Sequence, residues 1–205
     1  MVKYFVTGTD TNVGKTYISV YLLHMFNAQG YSTLGIKPLA AGGDDAAQLL
    51  QASSIKLPIE RINPFSFSEP VAPHIAAKKM GVRLSVDELI TRTQYALDYP
   101  ADVHIVEGVG GFCVPLNKTE TMADYVSRCN LPVILVVGMR LGCLNHTLLT
   151  CEAIKKAKVE LVGWIANCST PASSEVGEMV ATLLDWIPAP CLAFVGYGVG
   201  VSCAC

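Results

Sequence analysis

Charge is scarce in this sequence. Charged residues occupy only 16% of 205 positions and the net charge is −2. No run of like charge and no basic stripe stands out, which argues against electrostatic capture of nucleic acid or of an anionic membrane surface. Sparse charge combined with 51% hydrophobic residues excludes disorder as the main state. Long hydrophobic runs are missing too. The longest, Leu131–Met139, contains Pro132 and Gly138 and stops at Arg140, whereas a membrane-spanning helix needs roughly 20 apolar residues. There is no internal repeat and no linker-like stretch, so residues 1–205 read as one domain. Eight cysteines are present, at 113, 129, 143, 151, 168, 191, 203 and 205, but none forms a C-x-x-C pair. They read as small hydrophobes of a reduced protein, with Cys203-Ala204-Cys205 as a soft-metal alternative. Val2-Lys3-Tyr4 leads directly into a strand-like run, so no signal peptide is expected and the location expected is the cytoplasm.

Short β-rich runs alternate with helical stretches. Strands are predicted over Lys3–Thr7, Thr33–Pro38, Val103–Val106, Val133–Val137 and Leu161–Ala166. Helices are predicted over Gly14–Gln29, Asp44–Ala52, Ser85–Leu97, Thr121–Cys129, Asn145–Lys156 and Ser173–Leu184, with Ser85 and Glu88 spaced as a capping box. This repetition predicts an α/β fold, a mostly parallel central sheet with helices on both faces. Residues 58–73, with four prolines around Phe65 and Phe67, read as an ordered surface loop. After Asp185 no charged residue follows, and 196–205 is too glycine-rich for a helix and too apolar for a solvated tail.

The sharpest signal is Gly8-Thr9-Asp10-Thr11-Asn12-Val13-Gly14-Lys15-Thr16, between a predicted strand and a predicted helix. Glycines let successive N–H groups turn inward, and the helix start adds partial positive charge, so the loop suits phosphate. Lys15 would neutralise the β- and γ-phosphates, and the Thr16 hydroxyl would ligate Mg²⁺. Five residues rather than four separate Gly8 from Gly14, which puts Thr9 where a glycine usually sits. The second signal is the apolar strand that ends in Glu107-Gly108-Val109-Gly110-Gly111. A carboxylate at such a strand end often holds Mg²⁺ beside the phosphates. Lys37 ends the second strand on the same side of a parallel sheet, either as a ligand group or as a solvated surface lysine. Asp44 and Asp45 fit helix capping, and one of them could equally reach the metal. The helix start near Asn145 fits either ordinary capping or a carboxylate ligand. Asn167 ends a strand and could offer both donor and acceptor to a base edge.

Together these residues resemble the dethiobiotin synthetase family, over Tyr4 to about Cys191. The resemblance rests on the five-residue phosphate loop with Lys37-Pro38, Asn63-Pro64-Phe65, Glu69-Pro70, Pro73-His74, Glu107-Gly108, Ala123-Asp124, Leu141-Gly142-Cys143 with Asn145-His146, and Gly163-Trp164 with Ala166-Asn167. It implies a phosphate-loop NTPase-like fold and a homodimeric ligase that uses ATP, Mg²⁺ and CO₂ to close a cyclic urea on 7,8-diaminononanoate. It implies catalytic roles for Lys37 and Lys15, and a metal set of Thr16, Asp45 and Glu107. For ATP it implies Asn12, Val13, Gly14, Lys15, Thr16, Tyr17, Asp45, Glu107, Gly108, Val109, Gly110, Asn167 and Cys168. For the diamine it implies Thr11, Lys37 and Ala41, with Gly142, Cys143, Leu144 and Asn145 receiving the substrate carboxylate across the dimer interface.

Three departures from the family matter. Ala41 stands where relatives carry a substrate-touching serine, the stretch from Gly42 to Asp45 is shorter, and 192–205 match neither the adenine loop nor the terminal helix of the family. Weakened adenine binding, relaxed nucleotide selectivity, or a tail packed on the sheet are the expectations that follow. A nucleotide-switch ATPase would usually carry a second lysine early in the loop, and positions 9–13 have none. An amide-forming domain of cobalamin-type synthesis is usually fused to a glutamine-hydrolysing domain, for which 205 residues leave no room. An inactive paralogue is the remaining rival.

Overall fold

The computed structural model describes residues 1–171 and 174–198, and the backbone of 200–203. Strand β1 (Val2–Gly8) leads through the phosphate loop into α1 (Lys15–Ala28), and then come β2 (Thr33–Ile36), β3 (Leu39–Ala41) and α2 (Asp45–Ala52). Next are α3 (Ile59–Ile62), β4 (Phe65–Phe67), α4 (Pro73–Lys79), α5 (Val86–Asp98) and β5 (Val103–Gly111). The chain continues through α6 (Met122–Arg128), β6 (Val133–Gly138), α7 (Cys143–Lys156), β7 (Leu161–Asn167), α8 (Val176–Trp186), β8 (Cys191–Gly196) and β9 (Gly200–Cys203). The main sheet has seven strands in the order β2-β5-β1-β6-β7-β8-β9. All pairs are parallel except β8 with β9. β5 slips between β1 and β2, and this puts the end of β5 beside both the phosphate loop and the end of β2.

Period-two alternation sorts the core. Val6, Ile105, Ile134, Val136 and Ile165 face one side, where Ile18, Leu22 and Leu23 of α1 and Leu49 of α2 cover them. Phe5, Val106 and Val133 face the other side with Leu89 of α5 and Val126 of α6. Leu135, Val137 and Trp164 continue that side under Cys143 of α7 and Leu183 of α8. The predicted α/β architecture with helices on both faces is therefore present. Helix α5 begins where its cap predicts, with the Glu88 N–H donating to Ser85 Oγ at 3.2 Å. The Glu88 side chain does not close the box, and Arg92 takes it instead. The full capping box belongs to α6, between Thr121 and Asp124.

One predicted region is corrected and one open expectation is decided. Residues 58–73 are not simply a loop, because Phe65 and Phe67 are buried and β4 pairs in parallel with β3 as a second small sheet. Alternation over three residues between prolines is too short to register as a strand. The tail also forms strands. In β8 the buried positions alternate, Cys191, Ala193 and Val195, and its backbone pairs with β7 and then antiparallel with β9. The tail thus packs on the sheet, one of the outcomes left open. Helix α7 starts two residues before Asn145, on Gly142 at φ +90°. Helix α8 starts at Val176, and Ser173 lies outside the described residues, as does Cys205 of the soft-metal alternative. Among the described residues no helix is long and apolar enough to cross a membrane.

Candidate functional site

The phosphate loop bends back on itself through left-handed backbone at Asn12, φ 59°, and Gly14, φ 88°. A Cβ on Gly14 would stand 2.1 Å from Asn167 Nδ2, so that position admits no side chain. The loop is anchored at both ends. Thr9 N–H donates to the Val136 carbonyl at 3.1 Å, and Val13 is buried among the α1-side core residues. Asn167 Nδ2 donates to the Val13 carbonyl at 2.7 Å. The amide expected to be free for a base edge therefore has its nitrogen engaged in holding the loop. At the outer side Asp10 forms an ion pair with Arg140, which precedes α7.

Lys15 opens α1 and is buried, its Nζ donating to the Asp10 carbonyl at 3.1 Å. Burial, and after it the positive charge of Lys37, lower its pKa from 10.5 to about 8, against the opposing pull of Glu107, Asp45 and Asp10. The Lys15 ammonium is therefore poorly solvated and donates only to a backbone carbonyl, a suitable condition for phosphate.

Lys37, one residue beyond β2, is only 1% exposed. Its Nζ donates to Glu107 Oε1 at 2.6 Å, to Asp45 Oδ2 at 2.7 Å and to the Gly108 carbonyl at 3.0 Å. The solvated-surface alternative for Lys37 is thereby overturned. The Thr16 hydroxyl donates to the same Glu107 oxygen at 2.8 Å. The two aspartates have different partners: Asp45 meets Lys37, while Asp44 accepts from Gln48 one turn along α2. Glu107 is fully buried, and its Oε2 has no hydrogen-bond partner among the described residues. An unpaired buried carboxylate oxygen costs stability unless something charged is to meet it. Thr16, Asp45 and Glu107 supply only hard oxygens, a donor set that suits Mg²⁺ with phosphate and water completing its shell. The residues fit the metal.

A cleft of about 730 Å³ runs over these groups, lined by Lys15, Thr16, Lys37 and Asp45, by Thr11 and Ala41, and by Val109 and Gly110. A second cleft of about 380 Å³ lies beyond Gly14, between Tyr17, Asn167, Cys168 and the 195–198 tail segment. The structure thus gathers Thr11, Asn12, Gly14, Lys15, Thr16, Lys37, Ala41, Asp45, Val109 and Gly110 in one cleft and Tyr17, Asn167 and Cys168 in the next. Glu107, fully buried, meets the first cleft only through Thr16 and Lys37, and Val13 and Gly108 line neither. It does not bring Gly142, Cys143, Leu144 or Asn145 into either cleft. Cys143 is buried with its Sγ 3.8 Å from Met179 Sδ, while Asn145 and Leu141 are exposed.

Three contributions escaped the sequence reading. Asn63 Nδ2 donates to the Lys37 carbonyl at 2.6 Å and to the Phe65 carbonyl at 3.3 Å, fixing the backbone beneath Lys37. Pro70–Pro73 forms the wall opposite the phosphate loop. The tail supplies Tyr197 and Gly198 to the second cleft. The sequence signals for the first two were the Asn63-Pro64-Phe65, Glu69-Pro70 and Pro73-His74 motifs, which carried no role by themselves.

The geometry agrees with the comparisons. A family profile described as an AAA domain matches residues 2–197. The ATP-dependent dethiobiotin synthetase BioD of Pseudomonas aeruginosa (strain LESB58) is 45% identical over 95% of this chain and 90% of its own length. In fold, the chain is similar to the signal recognition particle receptor FtsY of Elizabethkingia anophelis in complex with GDP, with a TM-score of 0.59 at 17% identity over 98% of this chain and 60% of that one. It is also similar to the septum site-determining protein MinD of Pyrococcus horikoshii complexed with Mg-ADP, with a TM-score of 0.58 at 15% identity over 95% of this chain and 82% of that one.

Proposed function

The chain belongs to the ATP-dependent dethiobiotin synthetase family and is a ligase, and from that premise we propose that it closes the ureido ring of dethiobiotin on 7,8-diaminononanoate with CO₂ and ATP. The observation that most supports this reading is a second buried lysine, Lys37, in the floor of the phosphate cleft beside Lys15. Nucleotide hydrolysis alone does not call for it. A reaction in which a carbamate must approach the γ-phosphate brings two anions together and does.

The proposed chemistry has three steps. One amine of the diamine adds to CO₂ and loses a proton, giving a carbamate. A carbamate oxygen attacks the γ-phosphorus, ADP leaves, and a carbamic-phosphoric anhydride remains. The second amine attacks its carbonyl carbon, inorganic phosphate departs and the ring is closed. Lys15 and the loop N–H groups, from Asn12 to Tyr17, hold the triphosphate. Thr16, Asp45 and Glu107 would hold Mg²⁺, which would supply charge neutralisation at the phosphates. Lys37 holds carbamate and γ-phosphate together, so that most of the acceleration comes from placement and charge. Gly108, Val109 and Gly110 line the phosphate end. Thr11 and Ala41 flank the diamine, and Asn167 with Cys168 and Tyr17 receives adenine.

The helix start at Gly142–Asn145 is the family's carboxylate site, and its distance from both clefts fits a homodimer in which the partner supplies it. The whole chain acts as one catalytic domain, in the cytoplasm, where Cys113, Cys129, Cys143, Cys151 and Cys168 stay as free thiols.

The test is phosphate release from ATP, Mg²⁺ and bicarbonate with and without 7,8-diaminononanoate. Release that depends on the diamine, with a cyclic urea seen by mass spectrometry, is the expected result. Release that ignores the diamine would refute the ligase reading.

A further inference from the structure

Lys37 in this structure is already committed. Its ammonium sits among three oxygens, Glu107 Oε1 at 2.6 Å, Asp45 Oδ2 at 2.7 Å and the Gly108 carbonyl at 3.0 Å. An ammonium has three donors, and here all three are used. Two of the acceptors are carboxylates from different elements, Glu107 on β5 and Asp45 at the start of α2. The Thr16 hydroxyl also rests on Glu107 Oε1, at 2.8 Å. These are the very groups read above as the divalent-cation set.

With the ammonium on Glu107 Oε1 and Asp45 Oδ2, a divalent cation on the unpartnered Glu107 Oε2 and on Asp45 would stand within a few ångströms of it, where repulsion in a poorly hydrated site is large. Something must give when metal enters. Glu107 cannot move easily, because it is fully buried on a central strand, while Asp45, 33% exposed, has only its backbone fixed in the first turn of α2. Lysine is the flexible member, with four rotatable carbons and a point charge. Lys37 lines the same cleft as Lys15, the cleft read above as receiving phosphate.

We infer that the Lys37 ammonium is the internal counter-cation of the nucleotide-free enzyme, and that the divalent metal arriving with ATP displaces it from Asp45 and Glu107 toward the γ-phosphate and carbamate. The catalytic lysine is thereby unavailable until the metal is in place. The ion pairs also keep the buried Glu107 carboxylate compensated in the resting protein, together with the partly exposed Asp45, and an uncompensated charge at Glu107 would be strongly destabilising. The inference rests on reading Thr16, Asp45 and Glu107 as the metal set. That reading has its own control, since loss of Mn²⁺–ATP affinity in Glu107→Gln tests it separately.

The decisive experiment titrates the protein with Mn²⁺ alone, without nucleotide, following free Mn²⁺ by electron paramagnetic resonance. Wild type should bind weakly. Lys37→Met should bind at least about tenfold more tightly, since the competing cation is gone. Lys37→Arg, which keeps a cation there, should stay weak. Adding Glu107→Gln to Lys37→Met should abolish the gain. Thermal unfolding gives a second readout. Lys37→Met should melt below wild type without metal and recover with Mn²⁺, while wild type hardly moves. Equal Mn²⁺ affinity in wild type and Lys37→Met would overturn the inference. So would a gain that survives Glu107→Gln.

A measurement on wild type covers the case in which Lys37→Met does not fold. The Lys37 Nζ signal in ¹⁵N NMR, assigned by its loss in Lys37→Arg, should persist with a non-hydrolysable ATP analogue alone and shift when Mg²⁺ is added. A signal indifferent to Mg²⁺ would overturn the inference as well.

Discussion

ATP binding should draw a proton onto Lys15. Burial, then the charge of Lys37, hold this side chain's pKa at about 8 in the nucleotide-free protein, against 10.5 when solvated. Triphosphate oxygens at the amine reverse that balance and return the pKa to the ordinary lysine range. At pH 8 about half of the free protein carries neutral Lys15, so binding should take up about 0.5 proton per nucleotide. At pH 7 the uptake falls to about 0.1, and at pH 9 it rises to about 0.9. The γ-phosphate, with a last ionisation near pH 6 by analogy with phosphate monoesters, releases up to about 0.1 proton at pH 7, which offsets the Lys15 uptake there, and little at pH 8 and 9, where the test is made. The assay is isothermal titration calorimetry in paired buffers of different ionisation enthalpy. The same shift has a folding consequence of definite sign. A lysine whose folded pKa is depressed binds fewer protons folded than unfolded between pH 8 and pH 10.5. Nucleotide-free stability therefore rises with pH through that window. The penalty below it is of order 3 kcal/mol for this group. Lys15→Arg, which keeps its charge throughout, should remove the pH-dependent uptake. Uptake that stays flat from pH 7 to 9, or that persists in Lys15→Arg, would refute the reasoning.

Gly14→Ala should abolish nucleotide binding and lower the melting temperature, because a Cβ would meet Asn167 Nδ2 at 2.1 Å and φ is +88°; near-normal ATP affinity by calorimetry would contradict this. Asn63→Ala should cost about 1–3 kcal/mol of stability by denaturant titration, since it strips buried hydrogen bonds from the Lys37 and Phe65 carbonyls, and should reduce kcat by loosening Lys37. An unchanged kcat would show that Lys37 does not need that anchor. Ala41→Ser adds a hydroxyl in the phosphate cleft and should lower the diamine KM about fivefold, the value of roughly one hydrogen bond, with kcat little changed. Thr121→Ala should cost about 1 kcal/mol by removing half of the α6 capping box while leaving turnover intact, a comparison that separates stability from function.

Local chemistry wrote part of this protein legibly. The phosphate loop is readable because glycines, a lysine and a hydroxyl at a strand-to-helix junction perform their task within nine consecutive residues. Glu107 is readable because an acid that ends an apolar strand stands out. The alternation of strands and helices is readable because burial on two faces demands it. The short strands around Phe65 and Cys191 were not, since three to six residues between prolines or glycines carry too little periodicity.

Tertiary structure decided the rest. Whether Lys37 was a surface lysine or a buried one depended on β5 inserting between β2 and β1, which puts Glu107 2.6 Å from its ammonium. Asp44 and Asp45 are equivalent as neighbours in sequence, and only the pitch of α2 turns one toward Lys37 and the other toward Gln48. Asn167 could have served a base with its whole amide until the loop came within 2.7 Å of its nitrogen. Glu107 lies 70 positions from Lys37 and Val13 lies 154 from Asn167, and the order of strands in the sheet, which no local propensity encodes, determines which atoms meet.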